Sequence, residues 1–237
     1  MVKYSLGDIM VKDYLNIFGD NQIVLSETQL EQFNRYFELL VEWNEKINLT
    51  AITEKGMVYH KHFLDSLSLR NLIPSEGVTL LDVGSGAGFP SIPMKILYPN
   101  IKVTIIDALQ KRINFLKILS DEINVEVELI HGRAEELKRN NSYNYVTARA
   151  VANLRVLSEL CIPFVKVGGY FVSLKGPKYE QEIKECSKTF EVLGAEFEDT
   201  LKYQILNEEK TLLLIKKIKE TSDKYPRKFN KIKNKPL

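Results

Sequence analysis

The segment Asp82-Val83-Gly84-Ser85-Gly86-Ala87-Gly88-Phe89 puts one carboxylate and three alternating glycines directly after an apolar run. Glycine carries no Cβ, so a chain with this spacing can turn sharply and bring its backbone close to a ligand. No Gly-Lys-Ser/Thr follows, which excludes a P-loop. Ser85 has Val83 and Ala87 where a nucleophile elbow needs glycines, which argues against a hydrolase. The spacing also departs from the dinucleotide fingerprint, because position 89 is Phe. Asp82 would repel a pyrophosphate and favour an ammonium group. Asp107 lies 23 residues beyond Gly84, at the end of the next apolar run, where an acid can accept from both hydroxyls of a ribose. S-adenosyl-L-methionine has an ammonium, a ribose and no phosphate, and Asp82, Gly84, Gly86, Gly88 and Asp107 are its expected contacts. The bland alternative is a tight turn that binds nothing.

The acceptor atom is narrowed by what is missing. Methylating an exocyclic amine usually takes an Asn/Asp/Ser-Pro-Pro-aromatic segment after the fourth strand, and this chain has Thr147-Ala148-Arg149-Ala150-Val151 there. Methylating a pyrimidine C5 takes a cysteine nucleophile, and Cys161 sits mid-helix among apolar residues. A ring nitrogen with a free lone pair, such as guanine N7, needs only placement in line with the methyl group. Cys161 and Cys186 form no CxxC and read as core residues. His60 and His62, two apart on a helix, would point to different faces, so no metal is expected.

Elements that could hold these residues alternate along the chain. Strand signals cover 78–84, 102–107, 125–131, 143–150, 168–176, 196–206 and 211–218, with helix signals between all but the last two. That predicts an α/β fold with a mostly parallel sheet. The short link Asn207-Glu208-Glu209-Lys210 can join only antiparallel neighbours. A seven-stranded, Rossmann-like sheet with an antiparallel last hairpin is the class I S-adenosylmethionine-dependent methyltransferase fold. Residues 1–72 read as an N-terminal helical extension. Ser26 and Gln29 form a capping box, followed by an apolar stripe through Leu30, Phe33, Phe37, Leu40 and Ile47. A second helix is expected from about Val58 to Leu72. Residues 73–218 form the methyltransferase core and 219–237 a basic tail.

The composition, 44% hydrophobic and 27% charged over 237 residues, is that of a globular protein. No apolar run reaches the ~18 residues of a membrane span, and the start is too interrupted by charge for a signal peptide. The expectation is a cytoplasmic protein with no membrane partner. A net charge of +2 hides an asymmetry: residues 216–237 carry nine Lys and Arg against two acids, and the rest of the chain carries 24 against 29. The tail is therefore read as extended, binding RNA phosphates, with a solvated tail or one packed onto the core as alternatives. Lys111-Arg112 opens a helix, where cations are mildly unfavourable, so a phosphate role and a plain surface role both stay open. Trp43 and Asn44 read as packing groups, with base stacking by Trp43 the lesser option.

The set WNEKINLT (43–50), HFLDSL (62–67), LLDVGSGAGFPSIP (80–93), KR…FL (111–116), GRAEEL (132–137), ARAV (148–151), SLKG (173–176) and YPRK…PL (225–237) resembles the RsmG (GidB) family of bacterial 16S ribosomal RNA guanine-N7 methyltransferases. The resemblance runs nearly end to end. It implies methylation of a guanine in the 530 loop of 16S rRNA, with 16S rRNA or the 30S particle as partner and a monomeric enzyme. Gly84 and Phe89 match the family's cofactor loop, and Ala134 and Glu135 its positions at the adenine. Arg149 matches the arginine beside the methyl-transfer site, as a cofactor contact and a positioning group rather than a general base. His62, Arg133, Lys175, Arg227 and Lys228 are the expected RNA contacts; for His62 and Asp65 an ordinary surface pair is weighed evenly. Two departures stand out: Ser91 where the family commonly has Gly, and Lys210 where it often has Arg. A small-molecule methyltransferase, or a ribosome-assembly factor with a vestigial pocket, is the alternative.

Overall fold

The computed structural model describes residues 16–137, 142–149, 152–177 and 179–237. Ala150 and Val151 of the expected ARAV match, and residues 1–15 of the expected extension, lie outside them. Helix α1, Glu27–Ile47, begins at the capping box: Gln29 N donates to Ser26 Oγ and Ser26 N donates to Gln29 Oε1. Its buried face centres on Phe33, Tyr36, Leu39 and Leu40, so the stripe lies slightly off the expected one. Helix α2 spans 55–67. It runs as Lys55–Val58, a π-helical stretch Tyr59–Leu64 and Asp65–Leu67, and a 3₁₀ turn, Ser68–Asn71, follows it.

The strands are β1 (Glu76–Val83), β2 (Asn100–Asp107), β3 (Glu128–His131), β4 (Tyr143–Arg149), β5 (Val165–Lys175), β6 (Ala195–Ile205) and β7 (Glu208–Lys217). They lie in the order β3-β2-β1-β4-β5-β7-β6. The first five are parallel, and β7 runs antiparallel to both β5 and β6. The chain leaves β1 towards β2 and β3, then returns to β4 on the other side of β1. That reversal opens a crevice at the carboxyl ends of β1 and β4, where open α/β sheets take their ligands. Ile205 pairs with Glu208, so the last hairpin turns on Leu206 and Asn207 alone. The expected link was longer because Glu208, Glu209 and Lys210 show no apolar alternation to mark them as strand.

Helices cover both faces of the sheet. α1 and α2 share one core cluster with α3 (Ser91–Leu97) and α4 (Gln110–Glu122). The other face is covered by α5 (Leu154–Cys161) and α6 (Tyr179–Leu193). Tyr225 and Ile232 belong to that second cluster, Ile232 on the short helix α7, Phe229–Asn234. The expectation of an extended tail is therefore corrected: the tail packs back onto the core. Arg227 donates from Nε and Nη2 to Glu159 at 2.7 and 2.6 Å, and its backbone N–H also reaches Glu159. The Glu159 carboxylate is fully buried. Arg155 and Thr189 donate to the Leu237 carbonyl at 2.6 and 2.7 Å. Arg227, expected at RNA, is thus taken up by an ion pair with a buried acid. Lys228 is exposed. No described helix is long and apolar enough to cross a membrane.

Candidate active site

β1 ends at Val83, and Gly84, Gly86 and Gly88 follow with φ of +74°, +64° and +100°. Only glycine holds such angles without strain. Gly86 and Gly88 do different work. A Cβ on Gly86 would meet nothing within 4 Å, whereas one on Gly88 would lie 2.7 Å from Ile92 Cγ1 and 2.8 Å from Tyr36 Oη. Gly88 is therefore a packing glycine that seats the loop against α1 and α3, and its expected place at a ligand is corrected. Gly86→Ala should cost only the backbone strain, about 1–2 kcal/mol, while lowering affinity for S-adenosylmethionine. Gly88→Ala should instead destabilise the fold by about 2–4 kcal/mol, since overpacking adds to the backbone strain. Thermal melts with and without S-adenosylmethionine check both; equal behaviour of the two variants would refute the division.

Asp82 also departs from expectation. It is fully buried and does not line the crevice. Its Oδ2 accepts from Ser91 Oγ at 2.6 Å and more loosely from Ser91 N. Burial pushes its carboxyl up to about 7 against the opposing Ser91 hydrogen bonds. Asp82 ties the end of β1 to the start of α3, and Ser91 supplies a hydroxyl that a glycine there would lack.

The crevice itself encloses about 510 Å³. Gly84, Ser85, Gly86, Ala87 and Phe89 form one wall, Asp107, Ala108, Leu109 and Arg112 a second, and Leu49, Thr50, His62 and Arg149 a third. Asp107 Oδ2 accepts from Gly86 N at 3.1 Å and from Arg112 at 3.4 Å, and Oδ1 accepts from Leu109 N at 2.9 Å. A carboxylate offers about four acceptor sites, so capacity for a ribose hydroxyl is left. Arg112, left open between two roles, is a partner of Asp107. Ala134 and Glu135 lie in the 3₁₀ turn just past β3, whose His131 pairs with Asp107. The Glu135 side chain is 5% exposed, and its Oε1 makes no hydrogen bond but lies 3.9 Å from Arg133 Nη1 in an ion pair. Ser85 Oγ is buried and makes no hydrogen bond among the described residues. An acid with a spare acceptor site, the Ser85 hydroxyl and a glycine facing open space fit a polar nucleoside ligand such as S-adenosylmethionine.

Arg149 closes the crevice. Its guanidinium lies 4.8 Å from the Phe89 ring and donates to Asp65 Oδ2 at 3.1 Å. Its Nη2 is 3.3 Å from His62 Nδ1. The same Nδ1 lies 3.1 Å from the Lys61 carbonyl; a guanidinium only donates and a carbonyl only accepts, so these two neighbours ask for opposite tautomers of the ring. Burial, reinforced by the Arg149 charge, lowers the His62 pKa to about 4 and keeps the ring neutral. The Thr50 hydroxyl lies 2.7 Å from His62 Nε2. Asp65 Oδ1 accepts from Tyr203 Oη at 2.8 Å. Behind Phe89, Tyr36 stacks at 5.3 Å and donates to the Ala87 carbonyl at 2.6 Å.

An unfolded histidine takes up its proton near pH 6.5, and folded His62 near 4. Acidification across that window protonates the unfolded chain first, so it lowers stability. His62→Gln should flatten this part of the pH profile. Urea unfolding of both proteins at pH 4.5 and 7 tests it, and parallel profiles would reject the buried, neutral histidine.

A second cleft of about 420 Å³ shares His62 and Arg149 with the first. Its floor holds Ala152, Leu157 and Leu174, and Lys61, Lys175 and Lys210 line it with Asp65 and Tyr203. Lys175 pairs with Glu182 at 2.7 Å. Arg133 is exposed and lies over the Phe229 ring, so it approaches the tail. Trp43 packs against Phe115, and Asn44 Oδ1 accepts from Thr50 N, so both are packing groups as expected. Cys161 is fully buried, and burial pushes its thiol well up, which removes it as a nucleophile. No cluster of metal-ligating side chains occurs among the described residues. Tyr36, Thr50 and Tyr203 escape sequence reasoning, because a tyrosine or threonine in an element carries no signal of its distant partner.

A model of the family described as rRNA small subunit methyltransferase G matches residues 29–213. The chain belongs to this family. The Ribosomal RNA small subunit methyltransferase G of Lactococcus lactis subsp. cremoris is 52% identical over 224 residues, covering 91% of this chain and 94% of that one. The protein of the same name from Streptococcus pneumoniae serotype 19F is 50% identical over 234 residues, covering 95% and 99%. Among solved structures, magnesium protoporphyrin IX methyltransferase from Synechocystis with bound SAM superposes with a TM-score of 0.56 at 13% identity, covering 76% of this chain and 96% of that one. M. jannaschii TYW2 in complex with AdoMet gives 0.54 at 16% identity, covering 65% and 77%. These distant likenesses carry the fold, a class I methyltransferase sheet, as expected. In this family member the extension belongs to the same core as the sheet, since Phe33 and Phe63 of the helices and Phe89 of the loop lie in one cluster.

Proposed function

We propose that this methyltransferase carries a methyl group from S-adenosylmethionine to N7 of a guanine in the 530 loop of 16S rRNA. We further infer that it acts in the cytoplasm as a monomer on 16S rRNA or the 30S particle. The observation that carries the reading is the shared wall: Arg149 and His62 stand between a crevice suited to a nucleoside and a cleft with an apolar floor and basic rim. When bound, S-adenosylmethionine supplies an electrophilic methyl group on sulfur. Gly84 and Gly86 would let the loop approach it, Asp107 would accept from its ribose, and Ala134 and Glu135 would hold its adenine. Phe89 and the neutral His62 line the path between the clefts and exclude water. Arg149, charged and fixed by Asp65, orients the base by donating to its carbonyl oxygen beside N7. A ring nitrogen attacks with its own lone pair, so positioning replaces a general base.

Transfer of tritiated methyl to naked 16S rRNA, to 30S particles and to a metabolite pool tests the substrate class. Label is expected in the first or second, released by borohydride–aniline cleavage at a single site. Label found only in metabolites would reject the RNA reading, and a methylated RNA that resists cleavage would reject N7.

A further inference from the structure

The hairpin of β6 and β7 is fastened to α2 at two points. One is the Tyr203–Asp65 hydrogen bond. The other is Glu208, whose Oε1 lies 2.7 Å from Lys61 Nζ and whose Oε2 lies 3.0 Å from Lys210 Nζ. Both lysines line the second cleft. Two ammonium groups from different elements thus converge on the two oxygens of one carboxylate. Among the described residues the Glu208 carboxylate has no other hydrogen-bond or ion-pair partner, and the side chain is 47% exposed. Glu182, which pairs with Lys175 in the same cleft, contrasts with it: that carboxylate also accepts from Leu154 N at 2.8 Å and is pinned to the backbone. Glu208 can swing away at the cost of two half-exposed ion pairs, which are individually weak.

We propose that Lys61 and Lys210 form a phosphate site at the mouth of the second cleft, occupied in the free protein by Glu208. The incoming RNA displaces Glu208 with a phosphodiester next to the target nucleotide. This rests on the RNA reading given above. The two non-bridging oxygens of a phosphodiester present nearly the same bite as a carboxylate, so the lysines need not move. The site is tied to the reaction centre, because the Lys61 carbonyl lies 3.4 Å from Arg149 Nη1. A phosphate held by the Lys61 side chain is thereby registered against the arginine that orients the base. Glu208 stays ionised throughout the neutral range, since Lys61 and Lys210 hold its carboxyl down to about 2. The placeholder also repels RNA lacking the contacts to displace it, which exchanges affinity for selectivity.

The test is filter binding of the full-length protein to 16S rRNA between 50 and 200 mM salt, with calorimetry for S-adenosylmethionine. Glu208→Gln should tighten rRNA binding roughly three- to ten-fold, because it frees both lysines for phosphate. Lys210→Met should weaken binding and reduce the salt slope by about one unit. In a Lys61→Met/Lys210→Met background, Glu208→Gln should change nothing. S-adenosylmethionine affinity should stay constant throughout. Unchanged or weaker rRNA binding by Glu208→Gln, in a protein whose melting temperature matches the parent, overturns the proposal. So does an equal gain for guanosine 5′-monophosphate, which would assign the lysines to a mononucleotide. A parent protein that methylates 16S rRNA while Glu208→Gln gains nothing loses only this site. A parent that neither binds nor methylates rRNA loses the functional reading, and this proposal with it.

Discussion

Arg149→Ala is expected to lower methyl transfer at saturating S-adenosylmethionine by about 10²-fold, the usual scale for losing a preorganised donor or misplacing a reactant by an ångström. The side chain is 16% exposed and contacts Phe89, His62 and Asp65 at once. Alanine would empty the wall between the clefts and leave Asp65 held by Tyr203 alone. Arg149→Lys should recover little of the rate, because an ammonium is a point charge that cannot lie flat over Phe89 while forking to two partners. Asp65→Asn and Tyr203→Phe keep the arginine and loosen its anchor, so their losses should be smaller and fall on turnover rather than cofactor affinity. Single-turnover rates set beside calorimetric S-adenosylmethionine affinities separate the cases. If Arg149→Ala weakened cofactor binding as much as it slowed transfer, its role would be structural and the positioning assignment would fail.

The second large effect lies at the far end of the chain. Arg227→Ala should destabilise the protein by about 3–5 kcal/mol, because it strands a fully buried carboxylate. Glu159 has no route to water in the folded state, so without the guanidinium it keeps only the backbone N–H of residue 227. Replacing both partners by apolar groups, Glu159→Leu with Arg227→Met, should recover most of the loss, since no charge is then left unpaired. Equilibrium unfolding in urea measures all three proteins. A loss below about 1 kcal/mol for the single variant would show that the tail contributes little to the fold and would reopen its reading as an RNA arm.

The loop glycines, the alternation of strand and helix along the core and the reversed hairpin were legible in the sequence because each rests on local spacing. Glycine spacing fixes where the chain can turn, and a short link between two strands allows only an antiparallel pair. What escaped was set by residues far apart along the chain. Tyr36 reaches Ala87, Tyr203 reaches Asp65, and Arg227 reaches Glu159. The tail was misread for the same reason: counting its cations says nothing of where they point. Arg227 faces an acid on α5 that looks like a surface residue, and Lys217 is buried against the Ile162 carbonyl. Gly88 shows the limit of motif reading within the loop itself. Its neighbours in the G-x-G-x-G pattern look identical, yet its missing Cβ makes room for protein, not ligand.

The Tyr36 hydroxyl on the Ala87 carbonyl has a thermodynamic consequence. A helix lying far upstream of the cofactor loop is moulded onto it from behind, so whatever stiffens the loop also lowers the free energy of the state in which the helix is docked. Ligand occupancy should therefore register as slowed amide exchange along the Phe33–Leu40 stretch, which the ligand never touches. Conversely, fraying of that stretch sets a ceiling on how long the loop keeps its shape, and the lifetime of the bound complex becomes a property of the helical extension as much as of the sheet.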